Sequence, residues 1–225
     1  MASLGQMIGN IAHQWRQPLT ELNLTLFNMK KASIRNNEKK VEELYKESKL
    51  LISNMSSTIE DFTNFFNPQK EKKSFEIKEA VNEALMLLRK VIENESINLQ
   101  IDVPINYKVL GVSNELSQVI INLIQNSKDA FILNNIKNKR ITITLKEEDI
   151  LDKKYSMLEI SDNAGGINKE NIDKIFEPYF TTKHKSQGTG LGLFMSKMII
   201  EKSLDGQLTH RNTKDGSIFT IKLVL

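Results

Sequence analysis

Gly188-Thr189-Gly190-Leu191-Gly192-Leu193 decides how the rest of the chain is read. Glycines at alternate positions let a backbone approach a phosphate closely. The apolar run that follows, 193–203, has the spacing of a helix whose first amides would face that turn. Taken alone the turn is weak evidence, because glycine-rich turns serve many ends. Its surroundings narrow the reading. Upstream stand Phe176-Glu177-Pro178-Tyr179-Phe180-Thr181-Thr182-Lys183 and a polar stretch in place of a strand. That argues against a dinucleotide-binding turn, and the missing G-K-[ST] ending argues against a P-loop.

Outward from the turn the period of the sequence changes repeatedly. Downstream, 207–211 and 217–225 read as strands around the turn signal Lys214-Asp215-Gly216. Upstream, 80–92 and 116–133 carry helical periodicity, whereas 97–103, 141–145 and 157–161 read as strands. Strands running in hairpins with helices between them predict an α+β two-layer sandwich over residues 75–225, with helices on one face of the sheet.

Residues 1–67 follow another rule. Leu4, Ile8, Ile11, Trp15, Leu19, Leu22, Leu26 and Met29 fall close to a repeating 4-3 spacing. Val41, Leu44, Leu51, Met55, Phe62 and Phe65 keep that phase, with Ser48 and Thr58 at the missing steps. Such spacing keeps one stripe against a partner helix. The short polar segment Arg35-Asn36-Asn37-Glu38 predicts an antiparallel, all-α helical hairpin. Two helices alone leave apolar seams uncovered, so a homodimer through residues 1–67, closing a four-helix bundle, is expected. Pro68 and the charge run after it mark 68–74 as a linker.

Composition bounds the function. Hydrophobic residues make up 40% and charged residues 26% of the chain, as in ordinary globular proteins. A net charge of +3 is too small for a nucleic-acid footprint, so no nucleic-acid partner is expected. The absence of cysteine removes disulfides, thiol catalysis and thiolate metal sites, and suits a reducing cytoplasm. No apolar run reaches the roughly 18 residues of a membrane span, and residues 1–11 lack the pattern of a signal peptide. The expected location is therefore cytoplasmic, with membrane attachment only through segments outside this chain.

Two further motifs stand before the glycine turn. In Asn122-Leu123-Ile124-Gln125-Asn126 the asparagines are four apart, on one helical face beside an apolar stripe. Amides so placed need a polar partner, and a hydrated Mg²⁺ on a triphosphate would be one. Asp162-Asn163-Ala164-Gly165-Gly166-Ile167 ends a strand. Taken alone it reads more readily as an ordinary tight turn than as a carboxylate facing a purine amino group.

The order N-x-x-x-N, D-N-x-G-G-I, F-E-P-Y-F-T-T-K, G-T-G-L-G-L resembles the GHKL-type ATP-binding domain of sensor histidine kinases across about 150 residues. The resemblance implies ATP and Mg²⁺ as cofactors. It places Asn126 on the metal, Asp162 on adenine, Gly166 near the base, and Gly188, Gly190 and Gly192 at the phosphate end, with Thr189 and Leu191 in the same turn. Residues 168–187 correspond to the family's mobile lid, where Lys183 would reach the outer phosphates. Ala164 replaces the usual first glycine of D-x-G-x-G. The gyrase-like, mismatch-repair and chaperone ATPases of the wider group carry a glutamate base where this chain has Asn122. An amide cannot take a proton, which points to ATP held for another acceptor.

That acceptor is expected to be His13. Ile8-Gly9-Asn10-Ile11-Ala12-His13-Gln14-Trp15-Arg16-Gln17-Pro18-Leu19 resembles the family's phosphoacceptor motif H-E-x-R-x-P-L, keeping His13, Arg16, Pro18 and Leu19. His13 lies two residues from both Ile11 and Trp15, which points it away from the seam, and Pro18 is expected to kink the helix. Gln14 departs from the usual acidic neighbour: its carbonyl can orient the ring but cannot take the proton. Gln17 lies where the family often has Thr or Asn to position water for dephosphorylating a partner. The implied activity is ATP-dependent phosphorylation of His13, followed by transfer to an aspartate of a response-regulator receiver domain. The alternatives are a non-catalytic dimeric ATP-binding scaffold and a GHKL-type ATPase. His184 and His210 have no matching context and read as a surface and a strand residue.

Overall fold

The computed structural model describes residues 2–65, 71–104, 106–150, 153–183 and 190–225, and outside it lie the side chains of 2–17, 54 and 57–65. The chain divides into two compact units, the first holding Met1–Asn67 and the second Pro68–Phe180 with Gly190–Leu225.

In the first unit α1 (Ala2–Ile34) and α2 (Glu38–Phe65) pack against each other. The turn between them closes through Asn36 at φ 53° and the Asn37 amide donating to the Ala32 carbonyl at 3.0 Å. Asn37 then caps α2, its Oδ1 accepting from the Lys40 amide at 3.1 Å. α1 runs through Pro18 without a break.

The seam differs in one respect from the spacing prediction. On α2 it runs through Val41, Leu44, Ser48, Leu51 and Met55, as the phase predicts, with Ser48 Oγ donating to the Leu44 carbonyl at 2.9 Å. On α1 the buried positions are Thr25 and Ala32, flanked by the half-buried Leu22 and Met29. Leu19 and Leu26 are 45% and 43% exposed. Small residues let the helices approach closely, and Thr25 hides its hydroxyl by donating to the Glu21 carbonyl at 2.9 Å. The larger leucines face outward.

The second unit is an α+β sandwich. Its sheet runs β2 (Asn98–Asp102), β4 (Arg140–Ile150), β5 (Lys153–Asp162), β7 (Ser217–Val224), β6 (Gln207–Asn212). The β4–β5 and β6–β7 hairpins are antiparallel, as expected, while β2 pairs with β4 in parallel. A second pair, β1 (Lys73–Glu76) against β3 (Lys108–Gly111), was not legible in the sequence, and Lys73 and Ser74, read as linker, begin β1.

Two long helices supply most of the core opposite the sheet. α3 (Ile77–Asn94) buries Ile77, Ala80, Val81, Ala84 and Leu88, and α4 (Ser113–Leu133) buries Leu116, Val119, Ile120, Leu123, Ile124 and Phe131. Their partners on the sheet are the alternate residues Ile141, Ile143, Leu158, Ile160, Ile221 and Leu208, all at most 2% exposed. α5 (Gly192–Met198) continues into a π turn at Ile199–Ser203. Left-handed residues follow the helices, Ser96 after α3, Asn135 after α4 and Asp205 after the π turn, each with φ between 51° and 53°. The amides of Ile97 and Ile136 reach back to the carbonyls of Ile92 and Phe131 at 3.0 and 2.9 Å, closing α3 and α4.

Candidate functional site

α4 carries the first part of the site. Its apolar stripe is fully buried, which leaves Asn122 and Asn126 on the half-buried flank. Asn122 Nδ2 donates to Ser196 Oγ of α5 at 2.8 Å. Gly192 meets Asn122 directly: a Cβ on Gly192 would fall inside contact distance of its amide. The glycine at the start of α5 is therefore there because Asn122 fills the space a side chain would need.

Asp162, at the end of β5, is buried at 9% exposure. Its Oδ2 accepts from Ser127 Oγ of α4 at 2.8 Å. Its Oδ1 accepts from the Ala164 amide at 2.9 Å and the Ser217 amide at 3.2 Å. A carboxylate offers roughly four acceptor positions. The described residues occupy three and leave one on the Ser127 side for an incoming N–H.

The loop after Asp162 is tied down at every step. Asn134 Nδ2 donates to the Ala164 carbonyl at 2.6 Å, and the Gly165 amide donates to the Asp215 carbonyl at 2.9 Å. Asn212 clamps Ile167 from both sides, its Nδ2 donating to the carbonyl at 2.6 Å and its Oδ1 accepting from the amide at 2.8 Å. Gly166, at φ 75°, lies under Asn212 and the Gly216 carbonyl with no room for a Cβ. The alanine at 164 costs nothing here: it is buried at 2% exposure, and only its backbone is engaged.

Of the glycine turn, Gly188 and Thr189 lie outside the described residues, as does His184. Gly190 adopts φ 66° and packs so tightly on the backbone of Tyr179 that a Cβ would overlap it. The Tyr179 amide donates to the Gly190 carbonyl at 2.7 Å, with Tyr179 itself at φ 70°. Burial pushes the Tyr179 phenol above its ordinary pKa. Leu191 leads into α5, its carbonyl accepting from the Met195 amide at 2.8 Å.

The structure thus brings Asn122, Asp162, Gly166, Gly190 and Gly192 onto one framework in the second unit, with Asn126 one turn along α4. Lys183 falls outside that unit, its amide donating to Thr181 Oγ1 at 3.1 Å. His13, Gln14, Arg16 and Gln17 lie in α1, and their side chains are among those outside the description.

Ser127, Ser196, Asn212, Ser217 and His210 were not singled out as site residues from sequence. Ser127 and Ser196 had a weak signal, a polar residue on an otherwise apolar helix face. The others carry no local signal at all. Among the described residues no group of three or more His, Cys, Asp or Glu stands ready to hold a metal ion. Asn126 offers a single amide oxygen, which fits Mg²⁺, a hard cation that keeps most of its shell as water and phosphate oxygens. No described helix is long and apolar enough to cross a membrane.

Residues 111–225 match the family described as "Histidine kinase-, DNA gyrase B-, and HSP90-like ATPase". The two-component sensor PprA of Pseudomonas aeruginosa is 33% identical over 235 residues, spanning all of this chain and 25% of that protein. The chain spans between a quarter and about half of the length of the curated relatives it matches. The solved catalytic domain of histidine kinase ThkA is 28% identical with a TM-score of 0.58, covering 69% of this chain and 98% of that one. ThkA in complex with the response regulator protein TrrA is 25% identical with a TM-score of 0.66, covering 98% of this chain and 61% of that one.

Proposed function

The chain belongs to the histidine kinase-, DNA gyrase B- and HSP90-like ATPase family, and from that premise we propose that it is the catalytic core of a sensor histidine kinase. It binds ATP in the second unit, moves the γ-phosphoryl group to His13, and passes it to an aspartate of a response-regulator receiver domain. The observation that carries this reading is Asn122. The side chain that would have to be a base for hydrolysis is an amide, already donating to Ser196 at 2.8 Å. An amide so engaged orients; it does not activate water.

The chain's own residues divide the work. Asp162 accepts from the purine amino group, held rigid by Ser127 and by the amides of Ala164 and Ser217. Asn126 would hold Mg²⁺, which when bound would neutralise charge on the triphosphate. The 188–192 turn and Lys183 meet the outer phosphates. A ring nitrogen of neutral His13 attacks the γ-phosphorus in line; the bond from γ-phosphorus to the bridging oxygen breaks, an N–P bond forms, and ADP leaves. The displaced imidazole proton goes to water or another base, because Gln14 cannot accept it. Arg16 and Gln17 flank the acceptor, and Gln17 is placed one turn on for positioning a water in the reverse, dephosphorylating step.

The fold of the first unit supports homodimerisation through residues 1–67. Leu19, Leu24, Leu26, Phe27 and Ile34 on α1, with Tyr45 and Ile52 on α2, are between 43% and 73% exposed in a single chain. A partner hairpin would cover them as a four-helix bundle.

The test is the chemistry of the label. Incubated with γ-labelled ATP and Mg²⁺, the chain is expected to take up phosphate that survives base and is lost in acid, as a phosphoramidate behaves. Chelating Mg²⁺ should abolish uptake. Free phosphate released without labelled protein would favour the ATPase alternative, and binding without turnover the scaffold.

A further inference from the structure

His210 stands outside every role assigned so far, yet it is joined to the purine end of the site. It lies in β6 paired with Phe219, on the helix-covered side of the sheet next to the row that holds Asp162 and Ser217. Its ring packs on Phe219, centroids 4.9 Å apart. Its Nε2 meets Ser217 Oγ at 3.1 Å, and the Ser217 amide donates to Asp162 Oδ1 at 3.2 Å. Nδ1 is buried and finds no partner among the described residues.

These contacts bear on the ring's protonation. Burial lowers the imidazole pKa from its ordinary value, opposed in part by the Asp162 charge, so His210 is neutral near pH 7. A neutral ring carries one proton. Placed on Nδ1, it would be a buried N–H without an acceptor, which folded proteins almost never tolerate; a bare buried acceptor is the lesser cost. The proton therefore belongs on Nε2, which donates to Ser217 Oγ. With its oxygen accepting from His210, the Ser217 hydroxyl keeps its own proton to give elsewhere.

We propose that His210 is a positioning residue for base specificity: by donating to Ser217 Oγ it makes that hydroxyl a hydrogen-bond donor beside the Asp162 acceptor. An acceptor next to a donor is the complement of the adenine edge, which offers an amino group beside a bare ring nitrogen. Guanine presents the reverse, a carbonyl beside a ring N–H, and would face like against like at both positions. A site with buried polar groups discriminates against such a base because its own groups are left unpaired. This inference rests on the reading of Asp162 as the purine contact.

Two variants and one spectrum test it. His210→Gln keeps an N–H donor near the place of Nε2, whereas His210→Leu keeps bulk without a donor. With Mg²⁺ present, ATP and GTP affinities are measured for the parent, both variants and Asp162→Asn. The leucine variant should lose about tenfold in ATP affinity and in the ATP-over-GTP ratio, and the glutamine variant should recover most of both. Nitrogen NMR of the imidazoles, assigned by the glutamine variant, should show His210 protonated on Nε2 and shifted on saturation with ATP, whether or not the leucine variant folds. A leucine variant that folds and binds both nucleotides like the parent would overturn the proposal, as would a proton on Nδ1 or an imidazole signal that ATP leaves unmoved. If Asp162→Asn alone loses ATP, only the role of His210 fails. If the parent binds no ATP, or Asp162→Asn binds it unchanged, the purine site itself is misread and the inference falls with it.

Discussion

Among the described residues three donors reach Asp162 and leave one acceptor position, so the consequence of changing it is specific. Asp162→Asn keeps the shape but turns one oxygen into a donor and removes the charge. A hydrogen bond to a charged group contributes about 1.5–3 kcal/mol, so ATP affinity by calorimetry should fall roughly ten- to a hundredfold. Gly192→Ala makes a different point. The backbone there is helical and suits alanine, so the melting temperature should change little, yet the new methyl would displace Asn122 and weaken MgATP binding. An unaltered affinity would show that Asn122 does not hold the phosphate end. His210 also leaves a mark on stability. Its folded pKa is depressed, so on acidification the unfolded chain takes up the proton first. Its contribution is fully present above the unfolded imidazole value and is lost as pH falls from there towards the folded value. His210→Gln should flatten that part of the stability curve, measured by denaturant titration at several pH values. Asp162, Asn122 and Gly192 were legible in the sequence through their motifs, but the partners that hold the site together were not. Ser127, Asn212 and Ser217 reach their partners across 35, 45 and 55 residues, and no local spacing records such meetings.

At the scale of elements, the long periodic segments were readable, and of the short ones β2 was read while β1 and β3 were not. α3, α4 and the β4–β5 and β6–β7 hairpins carry their period over enough residues to declare themselves. β1 and β3 are four residues each, a length at which alternation and chance look alike. The parallel pairing of β2 with β4 depends on how α4 crosses between them, which periodicity cannot express. The hairpin seam taught a subtler lesson. A repeating stripe identifies a face to be covered without saying by what, and Leu19 and Leu26 share a phase with residues of the internal seam while facing outward. Thr25, buried in their stead, is polar and so was not counted. The outward stripe makes Leu26→Asp informative. A charge forced into a helix interface without a partner is costly, so dimer affinity by analytical ultracentrifugation should drop at least about tenfold while helicity by circular dichroism persists. Sedimentation identical to the parent would place the dimer contact elsewhere.

For the molecule as a whole, the chain combines two units of different character. The first has a seam of small and aliphatic residues with much apolar surface outside it, and the second has a core enclosed by its own helices and sheet. Thermal unfolding should accordingly resolve two transitions. The one belonging to the hairpin should move up with protein concentration, as an oligomer's does, and the other should move up with MgATP. The motif order around the glycine turn made the second unit legible in the sequence, because four short segments in fixed order constrain a chain far more than any one of them does; the helical hairpin was read separately, from the 4-3 spacing of its apolar residues. The central claim is the transfer of one phosphoryl group from ATP to His13, and it is tested most directly by phosphoryl transfer from γ-labelled ATP with Mg²⁺ to the parent and to His13→Ala. The account predicts acid-labile, base-stable label on the parent and none on the variant, with ATP affinity equal in both. Label on the variant, or an unlabelled parent that binds ATP and releases phosphate, would contradict it.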